Sequence, residues 1–415
     1  MDKNKRLTVW LPVIIAASIA LGIFIGNHYL SISQGKKRSY SSGNKINAIL
    51  DIIDEQYVDT VSMSKLVEST IPKIFSELDP HSVYIPAEDA SVVNEELEGS
   101  FSGIGVSFNM QTDTILVISV ISGGPAEKAG LLPFDRIISI NDSIFSGKKK
   151  NQGEIMKTLR GAKNSTVKLG VQRGNSPELL YFDVTRGDVP VNSVDVSYEA
   201  AKGIGYIKVS KFARNTYNEF ITAIAKLKQA GCTSFVIDLR GNTGGYMDAA
   251  INMINEFMPE GRLIVYTEGK SFPRSDVYAN GTGTCKDAPI VVLTDEISAS
   301  ASEIFSGAIQ DNDRGTIIGR RTYGKGLVQT QMSLSDGSEM RLTIARYYTP
   351  SGRCIQKKYE MGNTDAYDQD IYNRYMHGEF DSADSIKMDD SLKYQTVGGR
   401  TVYGGGGIMP DIFIP

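Results

Sequence analysis

The stretch "SFVIDLRGNTGGYMDAAINMINEFM", residues 234–258, decides the fold. "SFVIDLR" is a continuous apolar run of strand length, suited to a sheet covered on both faces. "GNTGG" is rich in turn residues, and "YMDAAINMINEFM" carries apolar residues at helical spacing. Strand, glycine loop and helix in this order form one unit of an α/β rhythm. Upstream, "GIGYIKVSKF" reads as a strand and "YNEFITAIAKLKQAG" as a helix that Gly231 stops. Downstream, "PIVVLTD" is another buried strand. The alternation, which sets in at about Val189, predicts an α/β core over residues 188–415.

That last strand runs into "TDEISASASEIFSG", residues 294–307, with serines at positions 298, 300 and 302. Ala301, Ile304, Phe305, Ala308 and Ile309 share one helical face, so a helix begins near Ser300. Ser300-x-x-Glu303 fits a capping box. The same position lies in the positive end of the helix dipole, which favours an attacking alkoxide and a developing oxyanion. Cap and nucleophile therefore agree on place and differ in role.

A nucleophilic serine needs a base, and the three histidines, His28, His81 and His377, are all remote in sequence. "GRRTYGKGLVQ" offers Lys325 between two glycines, ahead of the strand-like "LVQTQMSL". A lysine serves as a base when burial lowers its pKa; otherwise it is a surface lysine in a turn. Gly319-x-x-x-x-Gly324-Lys325 also matches most of a phosphate-binding loop. Gly326 stands where Ser or Thr is required, and a strand pattern follows where a helix is needed, so nucleotide binding is rejected. "DLRGNTGG" is either an ordinary strand-to-helix loop or a concave nest of N–H groups for an anion.

Residues 98–187 follow another pattern. "GSFSGIGVSF" and "TILVISVI" read as strands, "SGGPAEKAG" puts Pro125 at a first helical position, and "DRIISIND" is a strand ending in a turn. "GEIMKTLR" has helix-forming composition, and "STVKLGVQR" and "ELLYFDVTR" close the module. Its order and its glycine loop, Gly103-Ile104-Gly105-Val106, resemble a PDZ domain, in which such a loop holds a peptide's terminal carboxylate.

At the amino terminus, Lys3, Lys5 and Arg6 precede "LTVWLPVIIAASIALGIFIG", twenty residues without a charge. Residues 1–30 are thus expected to form an uncleaved membrane anchor, with the bulk of the chain in the periplasm or another extracytoplasmic space. A polar linker (31–44) leads to a helical module (45–97), in which Pro72 marks a break or a helix start and "LDPHSVYIP" a turn. The helices offer a contact surface for a homo-oligomer. Residues 359–395, with nine acidic and three basic side chains, read as a solvated insertion.

The whole composition narrows the function classes. The 415 residues, 41% hydrophobic, supply core enough for two or three domains. A net charge of -4 argues against nucleic-acid binding. Cys232, Cys285 and Cys354 are scattered, read as isolated thiols, and no spacing suggests a zinc site.

"DLRGNTGG", "SASASEIFSGAIQD", "GRRTYGKGLVQ", "ARYYTPSGRCIQ" and "VYGGGGIMPDI" occur in this order after the PDZ-like unit. Together they resemble the carboxyl-terminal processing peptidases, or tail-specific proteases. The resemblance implies a Clp protease/crotonase-like core with an inserted PDZ domain that receives substrate tails. It implies Ser300 as nucleophile, Lys325 as general base and Gln329 as the residue orienting that lysine. It implies an oxyanion hole of the Ala301 N–H with that of Gly244 or Gly245, and neither cofactor nor metal. The expected partners are proteins with exposed carboxyl-terminal tails. A non-catalytic PDZ adaptor and a crotonase-type acyl-CoA enzyme are the competing classes.

Overall fold

The computed structural model describes residues 42–111, 114–144, 146 and 152–415, with Ala16, Ser18, Ile19, Leu21 and Gly22. Among the described residues no helix is long and apolar enough to cross a membrane. The apolar stretch 7–26, expected to do so, lies almost wholly outside them.

The chain divides into a unit ending at Ser69 and another running from Thr70 to Pro415. The first holds the helix Ser42–Gln56, whose Ile46, Ile49 and Ile52 are exposed, and the start of the helix Met63–Ser76. Pro72 lies inside that second helix, neither breaking nor starting it. The apolar spacing on both sides outweighs the one N–H that proline removes.

In the second unit a six-stranded sheet forms the core. Its order is Val194–Ala201, Ile204–Val209, Ser234–Asp238, Ile290–Thr294, Thr316–Gly319 and Ile412–Phe413, with the first pair antiparallel and the others parallel. Phe235, Ile237, Ile290 and Val292 are buried, as the continuous apolar runs require. The helices Thr216–Gln229, Met247–Asn255 and Ala301–Asp311 pack into the same apolar core, and Ala301–Asp311 is buried at every position. Gly231, at φ 96°, ends the first of these in the left-handed conformation expected of it.

A second sheet joins Leu327–Ser333, Glu339–Tyr348, Leu263–Gly269 and Phe272–Tyr278. Its remaining strand is Val83–Ile85, from the turn "LDPHSVYIP", which pairs with Glu339–Tyr348. The segment read as a helical module therefore also donates a strand, whose Tyr84 and Ile85 are buried.

The strands Val106–Gln111, Thr114–Val120, Arg136–Ile140, Thr166–Gln172 and Leu180–Thr185 form an antiparallel sheet closed by Pro125–Ala129 and Gln152–Leu159, with Pro125 at the first helical turn. Val117, Ile137, Val167 and Leu169 fill a core of its own.

Residues 359–395 depart from the solvated reading. Tyr367 and Arg374 are 3% and 4% exposed, and the helix Asp370–Met376 turns its arginine inward. A charge count cannot register this, since most of the acidic side chains face water while Tyr367, Arg374 and the Glu379 that pairs with it turn inward.

Candidate active site

Ser300 stands where the parallel strand Ile290–Thr294 gives way to the helix Ala301–Asp311. The glycine loop follows the adjacent strand Ser234–Asp238, so both lie at the carboxyl ends of parallel strands, where such sheets present their sites. Ser300 caps the helix at φ 55°, a conformation that costs a residue with a side chain roughly 1–3 kcal/mol. Its neighbours enforce that geometry. The Ser300 N–H donates to Glu303 Oε2 at 2.9 Å, the glutamate half of the capping box.

The alternate serines are spent on structure. Ser298 Oγ donates to the Leu239 carbonyl at 2.8 Å and accepts from the Asp295 N–H at 3.0 Å. Ser302 Oγ donates to the Asn242 carbonyl at 2.9 Å. Both residues are wholly buried, and Ser300 is half-buried.

Lys325 is brought to Ser300 through the main chain of each. Glu303 Oε2 accepts from the N–H of Ser300 and from that of Lys325, at 2.9 Å each. Its Oε1 accepts from the Gly324 N–H at 2.7 Å and the Thr322 hydroxyl at 2.5 Å. On the carbonyl side, the Tyr347 hydroxyl lies 3.0 Å from Ser300 O and 2.5 Å from Lys325 O. One buried carboxylate and one buried phenol thus clamp the two residues in register. Burial raises the Glu303 carboxyl above its ordinary value, while the four donors oppose that shift.

The Lys325 ammonium donates to Gln329 Oε1 at 3.1 Å. Its pKa is lowered, first by burial and then by the like charge of Arg341, against the opposing pull of Glu303 and Asp79. Burial of this kind disfavours the charged form of a lysine and makes its neutral amine easier to reach. Gln329 is oriented in turn by its Nε2, which donates to the His81 carbonyl.

The glycine loop packs directly on Ser300. A Cβ on Gly244 would lie 2.8 Å from both Ser300 Cβ and Ala299 O, and one on Gly245 would lie 2.1 Å from Phe212 O; their φ angles are 104° and 140°. No side chain fits at either position. The two glycines differ as donors. The Gly244 N–H is taken by Asn242 Oδ1 at 2.9 Å, which removes it as an oxyanion donor in this conformation. Among the described residues, no backbone carbonyl takes the N–H of Gly245 or Ala301.

The resemblance motifs converge on the clamp. "ARYYTPSGRCIQ" supplies Tyr347, and also Gln356, whose Oε1 accepts from the Gly326 N–H at 2.8 Å. "VYGGGGIMPDI" supplies Ile408, whose carbonyl accepts from the Thr322 N–H at 3.1 Å. Sequence reasoning missed Tyr347, Asp79 and His81 as parts of the site, and no spacing could have signalled them. Asp79 fastens the turn by accepting from the His81 N–H at 3.0 Å and from Thr343 Oγ1 at 2.9 Å. A histidine therefore does lie beside the lysine, but burial and the Lys325 charge push its pKa down to about 4. Its Nε2 is engaged with the Tyr367 hydroxyl at 2.8 Å. Among the described residues no cluster of His, Cys, Asp and Glu is arranged to hold a metal ion.

The loop Gly103-Ile104-Gly105-Val106 belongs to a separate place. Ile104, Gly105 and Val106 line a pocket of about 240 Å³, with Phe108, Met156 and Leu159 supplying apolar walls. The Ile104 and Gly105 carbonyls are tied down by the N–H groups of Ala126 and Ile121, at 2.7 and 2.9 Å.

Comparison with known proteins agrees with this division. The sequence model of peptidase family S41 matches residues 203–365, and that of a PDZ domain matches residues 102–195. The carboxy-terminal processing protease CtpB of Bacillus subtilis (strain 168) is 35% identical over 318 residues, covering 76% of this chain and 66% of the relative. A probable CtpA-like serine protease of Staphylococcus aureus (strain N315) is 33% identical over 365 residues, covering 86% of this chain and 72% of the relative. Among solved structures, a photosystem II D1 C-terminal processing protease aligns at a TM-score of 0.42 and 27% identity, over 75% of this chain and 90% of that one.

Proposed function

The chain belongs to the carboxy-terminal processing serine peptidases of family S41, and from that premise we propose that it is an endopeptidase cutting proteins near their carboxyl termini by a Ser–Lys mechanism. In this reading Ser300 Oγ attacks the scissile carbonyl. Lys325 in its neutral form takes the serine proton and later returns it to the leaving amine. Gln329 holds the lysine amine, and the N–H groups of Ala301 and Gly245 receive the oxyanion at the positive end of the helix. The observation that carries the reading is the Glu303 carboxylate accepting from the main chain of both Ser300 and Lys325, since a helix cap needs only the first of these bonds and the second holds nucleophile and base in register.

The PDZ module is assigned the capture of the substrate's terminal carboxylate, with apolar tail residues against Phe108, Met156 and Leu159. One assay tests both assignments. A protein ending in an apolar tail is incubated with the enzyme, and new termini are sought by mass spectrometry. Cleavage is expected, and amidating the tail should raise KM about tenfold with kcat unchanged, because a neutral amide leaves the N–H nest without its anion. Binding without new termini at every pH tried would identify a tail-binding adaptor instead.

For location and assembly we infer a membrane anchor over residues 1–30 and self-association through the amino-terminal helices. The basic residues ahead of an apolar run support the first, and the exposed Ile46, Ile49 and Ile52 the second. Carbonate-washed membranes should retain the full-length chain. Detergent-extracted protein should sediment at a multiple of 45.3 kDa, and a monomer would remove the second inference.

A further inference from the structure

The mechanism assigns nothing to the acidic insertion, yet its most buried aromatic lies beside the lysine machinery. The Tyr367 hydroxyl meets His81 and Gln356, and bonds Tyr323 as well. It is 2.8 Å from His81 Nε2 and 3.3 Å from Gln356 Nε2. His81 and Gln356 each lead to Lys325. The His81 carbonyl accepts from Gln329 Nε2, which turns Gln329 Oε1 toward the lysine amine. Gln356 Oε1 accepts from the N–H of Gly326, the residue that follows the lysine.

With Gln356 Oε1 committed to a backbone N–H, its amide nitrogen faces the phenol and donates to it. The phenol's hydrogen bond with His81 Nε2 runs in the direction the imidazole tautomer sets, and the Tyr323 hydroxyl is a further partner for its proton. The ring of Tyr367 is fixed independently. It packs edge-on against His81 at 5.3 Å, the Lys357 ammonium lies 4.0 Å from its centroid, and Lys357 also donates to the Tyr367 carbonyl at 3.1 Å. The same segment grips the lysine loop at a second point: Arg374 donates to the carbonyls of Arg321 at 2.7 Å and Thr322 at 3.1 Å.

We propose that Tyr367 is a positioning residue for Lys325, bracing the base through His81 and Gln329 on one side and through Gln356 and Gly326 on the other. The inference rests on Lys325 as the general base. It gives the insertion a catalytic purpose, which is to keep the lysine amine oriented and dry.

The test compares wild type, Tyr367→Phe, Lys325→Ala and Tyr372→Phe as full-length chains, measuring kcat and KM from pH 6 to 10. Phenylalanine keeps the ring and its packing and removes only the hydroxyl; Tyr372, exposed on the same insertion, is the matched control. The charged and titratable groups facing Lys325 are Arg341, Glu303, Asp79 and His81, and those facing His81 are Lys325, Asp79 and Lys357. All remain in Tyr367→Phe, so any shift reports lost orientation and desolvation. A looser, wetter lysine regains pKa, which moves the rising limb of kcat upward. A shift of about one pH unit reads as about a tenfold loss of kcat near neutral pH, recovered at high pH, with KM unchanged. If turnover falls too low to follow, the pH at which Lys325 becomes reactive toward an acylating reagent, resolved by peptide mapping, reads the same shift. An unmoved limb, an equal loss at every pH or a change in KM alone overturns the proposal. Cleavage by Lys325→Ala, or none by wild type, overturns the base assignment instead.

Discussion

Ser300→Ala in the full-length chain is expected to lower kcat/KM for a tail-bearing protein about 10,000-fold or more, with the fold intact. The size follows from what is removed. Without the hydroxyl no acyl-enzyme forms, and only binding and the oxyanion donors remain to favour reaction. The fold survives because the Ser300 backbone N–H still bonds Glu303, its carbonyl still meets Tyr347, and alanine adds no volume beside Gly244. Ser298→Ala and Ser302→Ala are expected to behave in the opposite way. Each strips a hydroxyl from a buried bond to a backbone carbonyl, of Leu239 and Asn242 respectively, at a cost of about 1–3 kcal/mol. Thermal unfolding should register that cost while turnover stays measurable. A dead Ser302→Ala beside an active Ser300→Ala would move the nucleophile by two residues.

Lys325→Ala should match the serine variant within about an order of magnitude, since nucleophile and base act as one unit. Lys325→Arg should be equally inactive, because a guanidinium keeps charge but cannot shed a proton to act as base. For wild type, kcat/KM should climb with pH through a midpoint below the ordinary lysine value and then level, because only the neutral amine accepts the serine proton. Stability obeys the same sign. A lysine whose pKa is lowered by folding holds fewer protons folded than unfolded between its two pKa values, so stability rises with pH across that window. Lys325→Met should flatten this rise in unfolding experiments, and a pH-independent rate in wild type would remove lysine as the base.

The legible part of the site was local. Ser300 was marked by the helix face of Ala301, Ile304, Phe305 and Ala308 and by Glu303 three residues on, both properties of one segment. The strand-like run after Lys325 was equally plain, and the structure has a strand there, Leu327–Ser333. What failed were judgements that needed a partner. Pro72 was read by its chemistry alone, without the helix around it. The insertion was read by net charge, which says nothing of where Tyr367 and Arg374 point. Gly244 and Gly245 could not be told apart until Asn242 was seen to occupy the Gly244 N–H.

By itself the sequence determined the α/β core, the PDZ-like module, the helix that starts at Ser300 and the order of the motifs, because periodicity and capping are written in neighbouring residues. Only the tertiary structure decided that Glu303 and Tyr347 clamp serine to lysine, that His81 stands beside Lys325 as an uncharged prop rather than a base, and that Tyr367 packs against that histidine. Those contacts join residues far apart along the chain. Their energies come from burial and hydrogen-bond geometry, which exist only once the sheets have packed.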